Sequence, residues 1–228
     1  VVWYGIHATR IHKERMTEAE YRGAVYEQLV VLAMKLKAEC AIRGIELDAW
    51  AIDAGGDQFD PVMRLWRNAK DLGLPFEIVP MIGKAGKTWN PFVRSKIRHA
   101  INETVECGDR DRDGNQQRWT NFNADFWRET MQRAWLGEIG TPGGLSIFGG
   151  DAEIRHDEYA LQVSAEQLRK KELLPDGRWR YDWVGGETHR HDYGDAQTMC
   201  LAVAGNKGLT LGVEYGGKRS RKAKIVFL

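Results

Sequence analysis

Cysteine is scarce in this sequence: Cys40, Cys107 and Cys200 are the only three in 228 residues, far apart and without a CxxC pair. That excludes a disulfide framework and a thiolate zinc site, fits a reducing compartment, and leaves buried thiols as the expectation. Charge of one sign is scarce too. Lys and Arg total 33 against 32 Asp and Glu, a formal net charge of +1. Nucleic-acid binding therefore cannot be argued from a chain basic as a whole, and any such contact must come from local patches. No run approaches the roughly 20 apolar residues that a bilayer requires, and no signal-peptide pattern is present, so a soluble protein without membrane partners is expected. The phosphate-loop pattern GxxxxGK[ST] is missing, which excludes a P-loop motor in this chain. Internal repeats and low-complexity linkers are missing as well. What is there is 43% hydrophobic residues, enough to bury the core of a single α/β domain over residues 1 to 228.

The chain alternates strand-like and helix-like segments. VVWYGI, Val1 to Ile6, reads as a strand with no turn signal before it, as though the fold begins upstream. Thr17 to Glu20 is a capping box, and Tyr21, Val25, Leu29, Leu32, Ala33 and Leu36 then recur at helical spacing until Gly44. LDAWAIDAGG, Leu47 to Gly56, is a buried-strand pattern that stops at an acid and two glycines. Asp60 and Pro61 open a helix expected to run to Leu72, with PFEIVPMI, Pro75 to Ile82, as the next strand. At least partly parallel pairing follows from this alternation. Asn90-Pro91 predicts a helix to about Cys107, then a polar loop, then a strand leading through Asn123 into a helix that Gly137 closes. LSIF suggests a short strand between glycine-rich loops, Ser164 to Gln167 matches a second capping box, and GRWRYDWVG, Gly177 to Gly185, alternates like a strand. An apolar helix is expected from Asp192 to Ala204, and from Lys207 a basic tail.

Two places can carry chemistry. Asp53 follows AWAI at a strand end, where a rigid sheet presents an acid to the crevice in which α/β sheets bind ligands; Asp before Gly-Gly is also good turn chemistry. In His189-Arg-His191-Asp192-Tyr-Gly-Asp195-Ala, Asp192 and Asp195 are three apart and project from one side of a helix's first turn. A divalent cation between them removes their repulsion, and oxygen ligands suit Mg²⁺ or Mn²⁺; an answer to the helix dipole is the alternative.

These residues, in this order, resemble the nuclease of bacteriophage large terminase subunits, most closely the lambda-like type. The similarity rests on Ile52-Asp53-Ala54-Gly55, the helix from Pro61, the turn at Gly83 to Lys87, YALQVSAEQL at Tyr159 to Leu168, and Asp192-Tyr-Gly-Asp195-Ala196, covering roughly Leu47 to Ala204. The last motif is also similar to that of RuvC-type resolvases. The resemblance implies an RNase H-like mixed central sheet flanked by helices. It also implies a metal-dependent endonuclease cutting concatemeric viral DNA during packaging. Asp53, Asp192 and Asp195 would hold two Mg²⁺ or Mn²⁺ ions about 4 Å apart. Such nucleases carry their first metal-binding Asp on the first core strand, and Val1 to Ile6 has no acid. That Asp is expected upstream of Val1, although a rival alignment makes Asp53 itself the first acid. Implied partners are double-stranded DNA, a motor ATPase domain upstream in the same polypeptide, a small terminase subunit and the portal, in the host cytoplasm and transiently at the procapsid. A resolvase or transposase-like nuclease and a non-catalytic interaction domain of the same fold are the alternatives.

Other signals are local. Asp109-Arg-Asp111-Arg-Asp113-Gly114 matches the start of a calcium loop, but Thr120 stands at the twelfth position, which favours a solvated loop. Lys84, Lys87, Lys218, Arg219, Arg221, Lys222 and Lys224 are candidates to neutralise DNA phosphates, or are ordinary solvated surface. His189 and His191 are candidate ligands or DNA contacts, and Trp89, Trp119, Trp127 and Trp135 are read as core rather than base-stacking platforms.

Overall fold

The computed structural model describes residues 11, 13–85, 88–89, 100–101, 103–138, 144–146, 156–177, 179–185 and 191–208. The expected strand at Val1 to Ile6, the start of the helix at Asn90, Phe148 of LSIF, His189, Lys87 and the tail from Lys218 to Lys224 lie outside them.

Helix α1, Glu18–Arg43, starts where the sequence predicts. Thr17 caps it in a capping box with Glu20, and Gly44 ends it at φ 59°, a left-handed conformation that glycine adopts without strain. Strand β1, Ala49–Asp53, stops at the acid. A 3-10 turn over Gly56–Gln58 runs directly into α2, Phe59–Asn68, so Asp60 is a first-turn acid rather than the cap. Its carboxylate is spent on an ion pair with Arg22 of α1. Strand β2, Glu77–Lys84, lies parallel to β1 with Asp53 opposite Met81.

The helix expected to reach Cys107 is overturned in its last part. Ala100–Ile101 and Thr104–Arg110 are strands β3 and β4, paired antiparallel. Ile101, Thr104 and Val105 are β-branched, and pairing with the next strand outweighs the weak helical signal. The expected polar loop is likewise half strand. Strand β5, Gln116–Asn123, pairs with β4 from Arg110 opposite Gln116 to Thr104 opposite Phe122. Asp111 holds the turn between them, its side chain accepting from the backbone N–H of Asp113 and of Asn115, so this stretch is a hairpin turn and not a calcium loop. The five-stranded sheet has the order β1-β2-β5-β4-β3, with β1, β2 and β5 parallel and β5, β4 and β3 antiparallel.

Asn123 then caps α3, Ala124–Leu136, accepting from the Phe126 N–H, with Gly137 at its end. Helix α4, Asp157–Val163, corrects the second capping box. Ser164 closes α4 instead of opening a helix, and the residues after it form strand β6, Gln167–Leu173, paired antiparallel with β7, Trp179–Val184. Helix α5, Asp192–Asn206, is the last described helix.

The architecture is a mixed α/β sheet with helices on both faces. Ile52 and Ile78 face a cluster built with Ala33, Leu36, Cys40, Val62, Met63 and Leu65 of α1 and α2. On the other side Val79, Met81 and Phe122 meet Trp127 and Met131 of α3 and Leu201 to Val203 of α5. Met63, Leu65, Ile78, Met81, Met131 and Leu201 are fully buried, each contributing about 1.5–3 kcal/mol. Of the three cysteines expected to be buried, Cys40 is, while Cys107 and Cys200 are only partly so; desolvation pushes all three thiols up. Among the described residues no helix is long and apolar enough to cross a membrane.

On the α3/α5 face Trp127 lies close against Gly205. A Cβ added at Gly205 would come within 2.7 Å of Trp127 Cζ2, and the indole is buried and cannot retreat. Gly205→Ala is expected to lower the unfolding free energy by about 1–3 kcal/mol, read as a lower urea midpoint at unchanged m-value.

Candidate metal centre

The first turn of α5 fixes the DxxD spacing in space. Tyr193 and Gly194 are buried between the two acids, while Asp192 is exposed. The Tyr193 N–H donates to Gln162 Oε1 of α4 at 3.2 Å. At Gly194 an added Cβ would meet the Gln162 carbonyl oxygen at 3.4 Å. The glycine of the motif thus lets the end of α4 approach α5. His191 precedes the helix, and its carbonyl accepts from the Asp195 N–H at 3.0 Å.

Glu166 arrives from another direction, on the link between α4 and β6. Its carbonyl accepts from Gln132 Nε2 of α3 at 2.5 Å. Gly185, at φ 101°, lies so close to Ala165 that an added Cβ would crowd the Ala165 carbonyl group. The backbone at Glu166 is therefore held from two sides.

Glu166, His191 and Asp195 form the one group of three or more potential metal-ligating side chains found among the described residues. One donor atom from each lies within 4.8 Å of the others. Arg128 of α3 joins the two acids: its Nε is 2.9 Å from Glu166 Oε2 and its Nη2 2.9 Å from Asp195 Oδ1. Asp195 Oδ2 faces His191 Nε2 at 3.3 Å. The guanidinium also sits 5.4 Å from the Trp183 ring centroid. Arg128 and Glu166 side chains are 16% and 17% exposed, against 37% for His191 and 44% for Asp195. The cluster is open on the Asp195 side and closed on the arginine side.

Of the residues expected from sequence, Asp195 and His191 are in the cluster, whereas Asp53 and Asp192 are not. Asp53 shares its sheet face with Ala49 and Ala51, which pack against the α3/α5 cluster. It also serves as a turn former, Oδ1 accepting from the Gly55 N–H at 2.9 Å. Lys84 is exposed at the end of β2, on the face of Ile78 and Ile82 that α1 and α2 cover. Trp89 and Trp127 are buried, Trp119 stands edge-on to Phe59, and Trp135 donates to Gln197 Oε1, so all four are packing residues.

Two participants escaped the sequence reading, Glu166 and Arg128. Glu166 was hidden in the apparent capping box, and the signal that exposes it is Pro175-Asp176-Gly177. That turn makes the flanking segments a hairpin. Arg128 carries no motif.

Other acids beside the cluster are committed to structure. Asp125 accepts from Trp183 Nε1 at 2.8 Å, and Glu129 pairs with Lys171 at 2.7 Å and with Arg133. Tyr181 is raised by burial first and by Glu129 next, so it stays protonated beside them. A cleft of about 290 Å³ lined by Trp66, Glu77, Arg118, Trp119, Asn206 and Lys207 contains none of the candidate acids. Its charges are paired, Lys207 with Glu77 and Arg118 with Glu106.

No protein-family model, no curated protein and no solved structure matches this chain.

Because Asp195 is 44% exposed and Arg128 keeps Glu166 as partner, Asp195→Asn is expected to leave the fold intact. Its cost should stay within about 1 kcal/mol, checked by denaturant unfolding and near-UV circular dichroism.

Proposed function

We propose that this chain is a divalent-metal-dependent endodeoxyribonuclease domain of RNase H-like kind, cutting concatemeric viral DNA in packaging. The observation that carries this reading is the convergence of Glu166, His191 and Asp195 on one point at the start of α5. The mixed sheet flanked by helices and the order of motifs along the chain support it. On this reading the partners are duplex DNA, a motor ATPase domain, a small terminase subunit and the portal, with the host cytoplasm and procapsid as setting.

The donor set fits such an ion. Two carboxylate oxygens and one imidazole nitrogen lie within 4.8 Å of one another, and a cationic guanidinium already sits between the carboxylates. An oxygen-rich site suits Mg²⁺ and Mn²⁺, and the imidazole favours Mn²⁺ of the two. Glu166, Asp195 and His191 would hold one ion, and Asp53 and Asp192 are the remaining acids of a two-ion set. The ion, when bound, supplies Lewis-acid stabilisation of the charge that develops on phosphate oxygens.

The protein's own part is positioning. Gln132 and the Gly185 contact fix the Glu166 backbone, and the α4 contacts fix that of Asp195. The exposed side of Asp195 leaves the cluster open to a large substrate. Phosphate contact carries no sequence information, which suits a cutter whose specificity comes from partners. Binding to DNA through phosphates is strongly salt-sensitive on this reading.

One observation favours a second reading. Arg128 satisfies both carboxylates without a metal, as in a non-catalytic interaction domain that keeps the fold. Plasmid cleavage separates the two. In the full-length protein, supercoiled plasmid is expected to be nicked with Mn²⁺ and left intact with EDTA. Glu166→Gln and Asp195→Asn should each abolish the cut, because a neutral amide keeps the shape and loses the charge that holds the cation. Failure to cut with Mg²⁺ or Mn²⁺ would favour the interaction domain.

A further inference from the structure

The same arginine bears on regulation of the site, and the inference rests on the metal-site reading above. We propose that Arg128 is a resident counter-cation, which a divalent ion must displace from Glu166 and Asp195 in order to bind.

The geometry sets the two cations in competition. Arg128 takes Glu166 Oε2 and Asp195 Oδ1, each at 2.9 Å, while Asp195 Oδ2 is turned toward His191. Arg128 thus holds one oxygen of each acid, and a divalent ion drawn to the same two carboxylates is brought up against the guanidinium. Like charges at this separation repel, and the repulsion is only partly screened where Arg128 and Glu166 are 16% and 17% exposed. The carboxylate of Glu166 cannot simply follow the arginine, since its backbone is held by Gln132 and by the close approach of Gly185 to Ala165.

The arginine has somewhere to go. Trp183 lies beneath it with the centroid 5.4 Å away, so a swing of the long side chain over the indole keeps a cation–π contact. Its two-pronged donor face also matches a phosphodiester as well as it matches a carboxylate. A phosphate arriving at the open side of Asp195 would draw Arg128 off the acids and free them for metal. Metal affinity in the free protein is thus low and is set by Arg128, a property that no reading of Asp53, Asp192 and Asp195 alone contains.

The test is titration of the full chain with MnCl₂, followed by electron paramagnetic resonance of free Mn²⁺ and by calorimetry, without DNA. Arg128→Gln is expected to bind Mn²⁺ about tenfold more tightly than wild type, or better. Arg128→Lys, which keeps the charge but not the paired donors, should fall between. Adding Glu166→Gln to Arg128→Gln should remove the gain. Equal affinity in wild type and Arg128→Gln would overturn the competition and leave the metal site standing. Weaker binding by Arg128→Gln would also overturn it, since the arginine would then be organising the ligands. Absence of Mn²⁺ binding in every form would sink the metal-site reading and this inference with it. Should Arg128→Gln fail to fold by circular dichroism, Arg128→Lys decides: tighter binding than wild type upholds the competition, and unchanged or weaker binding refutes it.

Discussion

The seating of α3 against α5 is the constraint on which the candidate site depends. Trp127 packs on Gly205 at one end of α5, and Arg128, the next residue of α3, reaches Asp195 at the other end. Adjacent residues on a helix point about 100° apart, so a single placement of α3 sets both contacts. The far turn of α5 is tied down further by Lys207 to Glu77 and by Thr104 to Asn206. Gln132 and Glu129 of α3 meanwhile hold Glu166 and Lys171, which brings the β6–β7 hairpin to the same helix. A shift of α3 would move Arg128 and Glu166 relative to Asp195 together.

Charge is divided by burial. Asp125 and Glu129 are 7% and 8% exposed and each has a committed donor, as buried acids must. Asp53 and Asp192 are exposed and Asp195 is half-exposed, so these acids face solvent rather than the core. Glu166 stands between these groups: it is mostly buried, yet its partner is an arginine that a stronger cation can replace.

Local rules made α1, β1, α3 and α5 legible, because each carries its own stop and start: Thr17 with Glu20, Asp53 before two glycines, Asn123, and the DxxD before an apolar run. Asp195 and His191 were readable for the same reason. Glu166 was not, since Ser164-Ala-Glu-Gln167 satisfies a helix-start pattern while the pairing of β6 with β7 decides the outcome. The strands at residues 100–110 were missed for a similar cause. The pairing of β3 with β4 and the long ladder to β5 are tertiary facts, and Glu103 just before β4 sits at φ 57°, which a non-glycine residue rarely adopts. Arg128 belongs to the same class, because nothing in a helical sequence says which surface arginine will find two carboxylates from distant segments.

On the nuclease reading proposed above, the arginine also changes how a nearly neutral chain would meet DNA. Uncompensated acids would repel a phosphate backbone until metal arrived, and affinity would then rise steeply with any divalent ion. With Arg128 between Glu166 and Asp195, part of that negative charge is already neutralised. On that reading the approach of the backbone would not have to wait for metal. The guanidinium and the phosphate would make contact first, and the acids would become available as a result of that contact. In this order of events DNA and metal would help each other bind through one side chain, whose charge would be shared in turn between carboxylate and phosphate. Linkage requires the help to be equal in both directions. A site built in this way would hold little metal while idle and would assemble its full ligand set only against a substrate.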